Sequence, residues 1–335
     1  MTKKNIIIIG AGVSGLFCGK RLSESGHSIL LIDKGRTIGG RLSTRKTDGA
    51  VFHHGASSLP DFYKHKELPE FALATFKRAE KEKIIHRIDN SFAPVSSVSH
   101  LVTYLAKNLR TKEGYQATSL DLNRRTVEVK YGDSCSTLPY DLLILSIPPI
   151  QAKNLINNQI DEFDRHLEKA QMRSSASALF SFDLNPSLIR DKQFSNQRIV
   201  VEVENNRFRC QQKQLCLTVH TKETFAKKVV NNDKNKIKDI LFEELSSVVP
   251  ISLPEPIYEA GHRWLYGFTA TSLGKSHLYY EKENLGICGD WCLGDTILHA
   301  ASSGIKLANL MPLDAACRIV SPKHQSPQIP RFSFS

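Results

Sequence analysis

Residues 5–9 read Asn-Ile-Ile-Ile-Ile, an unbroken β-branched run after a single polar position. Such a run suits a strand covered on both faces of a parallel sheet. The small residues of GAGVSG follow, then a helix-compatible stretch from Val13 to about Ser25, with Gly26 placed to end it. HSILLID supplies a second apolar strand that closes on Asp33. Further on, Leu142–Ile147 is another buried run, broken by Pro148-Pro149 ahead of a helix, and YQATSLDLNRRTVEVKYGD reads as a β-hairpin. SASALFSFDL, QRIVVEVEN, FRCQQKQ and LCLTVH read as successive strands of a mostly antiparallel sheet. Residues 222–248 read as one helix, and RIVSPKHQSPQIPRFSFS as a frayed tail. NLGICGDWCLGDTILHAASSGIKLANLM reads as strand, Gly289-Asp290, loop and closing helix. No internal repeat is visible.

The opening pattern carries specific chemistry. Gly10 permits the tight turn, Gly12 lets backbone approach a pyrophosphate, and Gly15 lets helix and strand pack closely. The helix beginning at Val13 and Ser14 points its N–H groups and positive dipole end at phosphate. Asp33 stands at a distance from the glycines that suits a carboxylate accepting ribose hydroxyls. An export signal would share the basic start and apolar run, but the pattern continues in phase past Phe17 and Cys18 into a second strand. The opening is therefore a nucleotide-binding βαβ unit.

Composition narrows the class. The chain has 335 residues, 41% of them hydrophobic, enough for one large domain or two moderate ones. No apolar stretch approaches the roughly 20 residues that span a bilayer, so no membrane partner is expected. The net charge of +11 is spread along the chain and mixed with acids. That spread suits solvated helix faces and can steer anionic ligands. Without zinc-finger spacing or an aromatic RNA-binding motif, no nucleic-acid partner is expected. Seven Cys, an odd number without CxxC, read as reduced thiols of a cytoplasmic enzyme. No metal-ligand cluster and no Ser-His-Asp arrangement is apparent.

After Asp33-Lys34 come Gly39-Gly40-Arg41-Leu42 and then the strand-like GAVFHHGA. In these segments the chain resembles the flavin-containing amine oxidase superfamily, part of the glutathione-reductase-like FAD group. The resemblance implies that Gly39 and Gly40 pass close to FAD and that Arg41 lies by its phosphates or adenine, where a planar guanidinium is suited. It places His54, Gly55 and Ala56 near the cofactor, Ala117 against the adenine, and Gly289 and Asp290 near the ribityl or pyrophosphate. It also places His299 by the cofactor and a helix start near Ala300–Gly304 against the pyrimidine side of the flavin. Nothing resembles an SGGCY-like tether, so FAD is expected to be held noncovalently, with Cys288 and Cys292 as small core residues.

The stretches GHRWLYGFTA, LCLTVHTKETFAKK, FHHGAS and LGICGDWCLGD are similar to the renalase-like branch. Three departures stand out: Ser57 in place of Gln, VSSVSHLVTYLA without a Gly-Met pair, and Leu298-His299 in place of Glu-Gly. The expected fold class is α/β, a Rossmann-like FAD-binding domain with a substrate domain built on a mostly antiparallel sheet plus helices. The FAD domain would be discontinuous, from 1–60, 85–150 and 275–320. The substrate domain would take 61–84 and 151–274, leaving 321–335 as a flexible tail.

The resemblance implies oxidation of the 2- and 6-dihydro isomers of NAD(P)H to NAD(P)+, with O2 as acceptor and H2O2 as product. A reduced nicotinamide dinucleotide is a polyanion, which the net charge would attract. An amine oxidase-like enzyme on another hydride donor, or a non-catalytic flavin-binding sensor, are the alternatives. His220, Trp264 and Tyr266 are the substrate-side candidates. His220 equally suits a packed or capping role, and Trp264 an ordinary core position. Alternation puts Trp264 and Tyr266 on one face of their strand, with Arg263 and Leu265 on the other.

Overall fold

Strand β1 (Asn5–Ile9) pairs in parallel with β2 (Ser28–Asp33) on one side and β12 (Leu142–Leu145) on the other. With β8 (Arg110–Glu113), β19 (Leu285–Ile287) and β18 (Leu278–Tyr280) they form a six-stranded sheet in the order β18-β19-β12-β1-β2-β8. This computed structural model describes residues 3–207 and 213–311. The FRCQQKQ segment lies largely outside them, and the C-terminal tail wholly so.

The all-isoleucine run has a simple physical cause. Ile6 and Ile8 join Leu31, Leu142 and Ile144 in one core, while Ile7 and Ile9 join Ile32, Leu143 and Leu145 in another. A strand with apolar cover on both faces cannot alternate with polar residues. The first core is closed by α1 (Val13–Glu24), α2 (Glu70–Lys81), α3 (Val98–Ala106) and α9 (Ile297–Ala308). The second is closed by α4 (Pro149–Ile156), α5 (Asp161–Leu167) and the small sheet of β9 (Gln116–Asp121), β10 (Thr126–Tyr131) and β11 (Ser134–Pro139).

The second large sheet runs β14 (Gln193–Ser195), β15 (Ile199–Val203), β16 (Leu215–Thr221), β13 (Gln171–Phe182), β17 (Tyr258–Thr271), with antiparallel neighbours throughout. One face is apolar. Phe180, Val201, Leu217 and Val219 pack there against Ile237, Leu241 and Leu245 of α8 (Lys234–Ser246) and Val229 of α7 (Glu223–Val229). The opposite face is partly covered by the hairpin of β3 (Thr44–Thr47) and β4 (Ala50–His53), through Ala50 and Phe52 on Leu179 and Cys216. A third small sheet joins β5 (Leu59–Pro60), β7 (Ser91–Pro94) and β6 (Ile85–Ile88).

Four expectations need correction. Residues 222–248 form two helices, because Asp233 turns its carboxylate onto the N–H groups of Asn235 (2.9 Å) and Lys236 (3.0 Å) and starts a new one. The QRIVVEVEN strand stops at Val203, where α6 (Glu204–Arg207) begins. There the Glu204 side chain is drawn inward to His53 and Thr218. The segment 61–84 does not belong with the antiparallel sheet. Phe62, Leu68, Ala72, Phe76 and Ala79 are core residues beside α1, and the Phe76 and Phe17 ring centroids are 5.3 Å apart. Finally, the closing helix starts at Ile297, so Ala300 and Gly304 lie inside it.

Thr296 sets that start. Its hydroxyl oxygen accepts the His299 N–H at 3.2 Å, and the His299 ring lies 3.4 Å from the Thr296 nitrogen. Thr296→Ala is expected to lower unfolding free energy by about 1 kcal/mol, read as a lower urea midpoint at unchanged slope.

Candidate functional site

The glycine turn between β1 and α1 is built around three different demands. Gly10 has φ +99°, and a Cβ there would lie 2.3 Å from the Ser146 carbonyl oxygen. A Cβ on Gly15 would lie 2.1 Å from the Gly10 carbonyl oxygen, so α1 sits directly on its strand. Gly12 differs: a Cβ there meets nothing within 4 Å. It is the N-cap of α1, no side chain caps it, and its backbone is extended. Open space thus faces the first turn of α1, at Val13 and Ser14, where N–H groups have no intrahelical partner. Gly39 comes alongside, its N–H donating to the Ala11 carbonyl at 2.9 Å, and Gly40 follows against the Gly12 backbone.

Asp33 closes the turn from the second strand. Its Oδ2 accepts the Ala11 N–H at 2.8 Å and its Oδ1 the Gly35 N–H at 2.7 Å. Each oxygen keeps a further lone pair for a hydroxyl. Lys34 beside it is exposed. Ala117, half-buried in β9, pairs with Val129 of β10.

Arg41 and Asp290 were expected to meet a ligand separately, and the structure joins them. Arg41 Nη1 donates to Asp290 Oδ2 at 2.8 Å, Nη2 bonds Oδ1, and Nη1 also reaches the Gly267 carbonyl at 3.2 Å. The Thr269 hydroxyl donates to Asp290 Oδ2 at 3.0 Å. A bidentate pair therefore ties the glycine-arginine turn to the segment between β19 and α9 and to β17. Leu42 buries its side chain in the first core, leaving only backbone for a ligand. Gly304 is a packing residue, because a Cβ there would lie 2.2 Å from the Ser14 carbonyl oxygen, where α9 crosses α1. Gly289 donates its N–H to Ser303 Oγ at 3.0 Å.

Gly55 sits hard against this turn, since a Cβ there would lie 2.0 Å from the Arg41 carbonyl oxygen. Ala56 donates its N–H to that same oxygen at 2.9 Å. His54, just before them, is where the two halves of the molecule meet. Its Nε2 lies 3.0 Å from Ser43 Oγ, beside Arg41, and its carbonyl accepts Trp264 Nε1–H at 2.9 Å and the Ser177 hydroxyl at 3.2 Å from the antiparallel sheet.

Cross-strand register then assembles a polar row. Ser177 of β13 stands opposite His220 of β16 on one side and His262 of β17 on the other. His262 and Trp264 have ring centroids 4.2 Å apart, and His54 lies 4.8 Å from His262 and 5.7 Å from Trp264. His220 Nδ1 is 3.2 Å from Ser177 Oγ, and its Nε2 is 3.9 Å from Glu202 Oε2. Ser57, one of the departures noted in the sequence, donates to that Glu202 oxygen at 3.2 Å. Tyr266 lies half-buried two residues past Trp264, with Arg263 and Leu265 exposed on the other face.

Burial first, then the charges of His262, Arg45, His220 and His53, push the His54 imidazole down to about 3. Burial, then Lys234 and Arg45, push His262 down to about 4. Both rings are neutral at ordinary pH. Burial and the neighbouring His65 likewise lower His299. Among the described residues no group of three or more His, Cys, Asp or Glu is placed to hold a metal ion. No helix among them is long and apolar enough to cross a membrane.

His262, Glu202 and Ser177 escaped the sequence reading. His262 was within reach, because it precedes Trp264 by two and so shares its face. Glu202 interrupts an apolar strand, which is also a signal. Ser177 has none, since only its partners in register give it a role.

Residues 8–72 match the NAD(P)-binding Rossmann-like domain. Over 61 residues the chain is 41% identical to the 4,4'-diapophytoene desaturase of Staphylococcus haemolyticus (strain JCSC1435). The match covers 18% of this chain and only 12% of that relative. Similarity of fold extends much further. A crystal structure assigned as a protoporphyrinogen oxidase from Exiguobacterium sp. 255-15 superposes with TM-score 0.68 at 12% identity, covering 92% of this chain and 99% of that one. Cyclohexylamine oxidase from Brevibacterium oxydans IH-35A gives TM-score 0.65 at 9% identity, covering 92% and 98%. The fold is thus that of these oxidases, a Rossmann-like unit joined to an antiparallel sheet.

Proposed function

We propose that the chain is an FAD-dependent oxidoreductase of renalase-like type, with the 2- and 6-dihydro isomers of NAD(P) as substrates. The observation that carries this reading is the position of His54, bonded on one side to the glycine-arginine turn and on the other to Trp264 and Ser177. A ligand lying along the first turn of α1 would end where that polar row begins.

The residues present suit FAD. Space at Gly12 admits a pyrophosphate to the α1 N-terminus, and Asp33 retains lone pairs for ribose hydroxyls. His54 Nδ1 and Ser302 Oγ of α9 are buried polar atoms without a partner in the protein, as expected of groups that face a bound ligand. Bound FAD would supply the acceptor for a hydride and pass the electrons to O2, giving H2O2.

The protein's own residues have a restricted task. A dihydronicotinamide that loses hydride becomes the aromatic pyridinium directly, so no proton needs to be removed. His54 and His262, neutral and only weakly basic, suit that demand. With Trp264 they form a cluster of mutually tilted rings against which a planar donor can be held. Burial of His54 and Ser177 keeps water from that side. The net charge of +11 favours a polyanionic donor over a cationic amine.

Anaerobic mixing of the FAD-loaded protein with each isomer tests this reading. Loss of visible flavin absorbance with the 2- and 6-dihydro isomers is expected, with no loss from ordinary NAD(P)H or from a panel of amines. Air should restore it, with H2O2 formed. Absorbance left unchanged by the isomers rejects the substrate, bleaching by amines favours an amine oxidase, and a protein that takes up no FAD rejects the cofactor.

A further inference from the structure

The β3–β4 hairpin carries a cation to the rim of the ring cluster. Arg45 stands directly opposite Phe52 in that ladder, and side chains opposite one another share a face. Phe52 lies on Leu179 and Cys216, its ring centroid 5.6 Å from that of Tyr258 in β17. Arg45 is therefore on the hairpin face that meets the antiparallel sheet, and it is exposed. Tyr258, His262 and Trp264 stand opposite Ser181, Ser177 and Ser175 of β13 and share that side of β17. Lys234, the first residue of α8, approaches the same strand from behind. A Cβ on Gly261 would lie 2.0 Å from the Lys234 carbonyl oxygen, next to His262, and the Lys234 residue is exposed.

Both charges are felt at the rings. Burial is the first cause lowering His262, and Lys234 and Arg45 follow. Arg45 acts on His54 as well, after burial and His262. Among the described residues neither Arg45 nor Lys234 has an ion-pair partner, whereas Arg41, Arg173 and Lys238 are matched by Asp290, Glu223 and Glu259. Asp233, beside Lys234, turns its carboxylate onto the N–H groups of Asn235 and Lys236 instead.

We propose that Arg45, together with Lys234, receives the pyrophosphate of a dinucleotide donor whose planar ring lies against His262 and Trp264. The guanidinium fork matches two phosphate oxygens at once, and the ammonium adds a point charge. In such a donor one ribose separates the nicotinamide from the pyrophosphate. A ring held in the cluster therefore leaves its phosphates at the rim, where the two unmatched cations stand. An uncharged donor gains nothing from them, and a cationic amine is repelled. This inference rests on the proposed function and assigns its preference for polyanions to two named residues.

The test compares kcat/KM for 6-dihydro-NAD with that for an uncharged N-alkyl 6-dihydronicotinamide, using FAD-loaded protein. Arg45→Gln should lower the preference for the anionic donor about tenfold or more, chiefly through KM. Lys234→Gln should lower it less, and Arg45→Lys, which keeps the charge without the fork, should fall between Arg45→Gln and the unaltered protein. Added salt should narrow the preference in the unaltered protein and leave it nearly constant in the double variant R45Q/K234Q. A preference that Arg45→Gln leaves unchanged overturns the inference while the proposed function stands. Calorimetric titration with NAD+, the product, reads the same contact without turnover. Arg45→Gln should weaken it about tenfold; equal affinity, or no binding by the unaltered protein, overturns the pyrophosphate contact. If neither donor reduces the flavin, the proposed function fails, and the NAD+ titration still decides whether Arg45 receives a dinucleotide.

Discussion

Gly12→Val is expected to abolish retention of FAD while leaving the apoprotein folded. The extended backbone of Gly12 accepts any side chain, and a Cβ there touches nothing within 4 Å. The valine methyls would occupy the space through which a pyrophosphate reaches the N–H groups of α1. Affinity should fall at least about 100-fold, or roughly 2.7 kcal/mol. Apoprotein stability should change by less than about 1 kcal/mol, the scale of an N-cap substitution. Gly15→Ala is the informative contrast. Its Cβ would lie 2.1 Å from the Gly10 carbonyl oxygen, so cofactor binding and the thermal midpoint should fall together. Fluorescence titration with FAD and a melting curve on each variant check both statements. Gly12→Val protein that binds FAD normally would remove the glycine turn from the cofactor site.

The second large effect concerns Glu204, which is fully buried. Its Oε1 accepts the His53 N–H at 2.8 Å, its Oε2 lies 2.8 Å from His53 Nδ1, and the Thr218 hydroxyl donates to Oε1. Burial alone would raise this carboxyl, but the His53 ring and N–H together with Thr218 hold it below the usual range. Glu204→Ala removes one partner of a buried pair and should cost about 3–5 kcal/mol. Calorimetry of the variant checks this.

The pH dependence follows with a definite sign. A carboxyl whose folded value is depressed contributes stability above the ordinary range near 4.5, lost as pH falls through the folded value. His54 and His262, held near 3 and 4, act in the same sense from higher pH. Below about 6.5 the unfolded chain binds protons on these rings that the folded protein refuses. The cofactor-free protein should therefore lose stability progressively from pH 6.5 downward, with the Glu204 contribution lost last. Denaturant midpoints taken across pH 7 to 4 measure it, and a flat profile contradicts it.

What could be read from sequence follows from how local each signal is. The β1–α1–β2 unit is contiguous, and its isoleucines, glycines and terminal Asp33 each have one reading at their spacing. The strands of the antiparallel sheet are legible because one face is packed on α7 and α8 while the other is not, which produces alternation. The break at Asn231–Asp233 was obscured by apolar spacing that runs in phase across it, although Asp233 is a good N-cap. The segment 61–84 was misassigned because nothing local says which core Phe62 and Phe76 enter. The substrate-side row is the hardest case. His54, Ser177, His220 and His262 are brought together only by cross-strand register, and register is a property of two strands at once.

The order of strands in the parallel sheet governs how the protein is made. β1 is flanked by β12, and β12 is flanked by β19, which follows β1 by nearly the whole described chain, near residue 287. α9, which covers α1, follows later still. At translation rates of roughly 5–20 residues per second, β1 leaves the ribosome on the order of 15–60 s before its sheet can close. For that interval Ile6, Ile8, Leu16 and Phe17 lack the cover they have in the native core. The nascent chain should accordingly be a client for chaperones that hold extended apolar segments. Refolding from denaturant should be slow for the same reason, because its native contacts join distant parts of the chain.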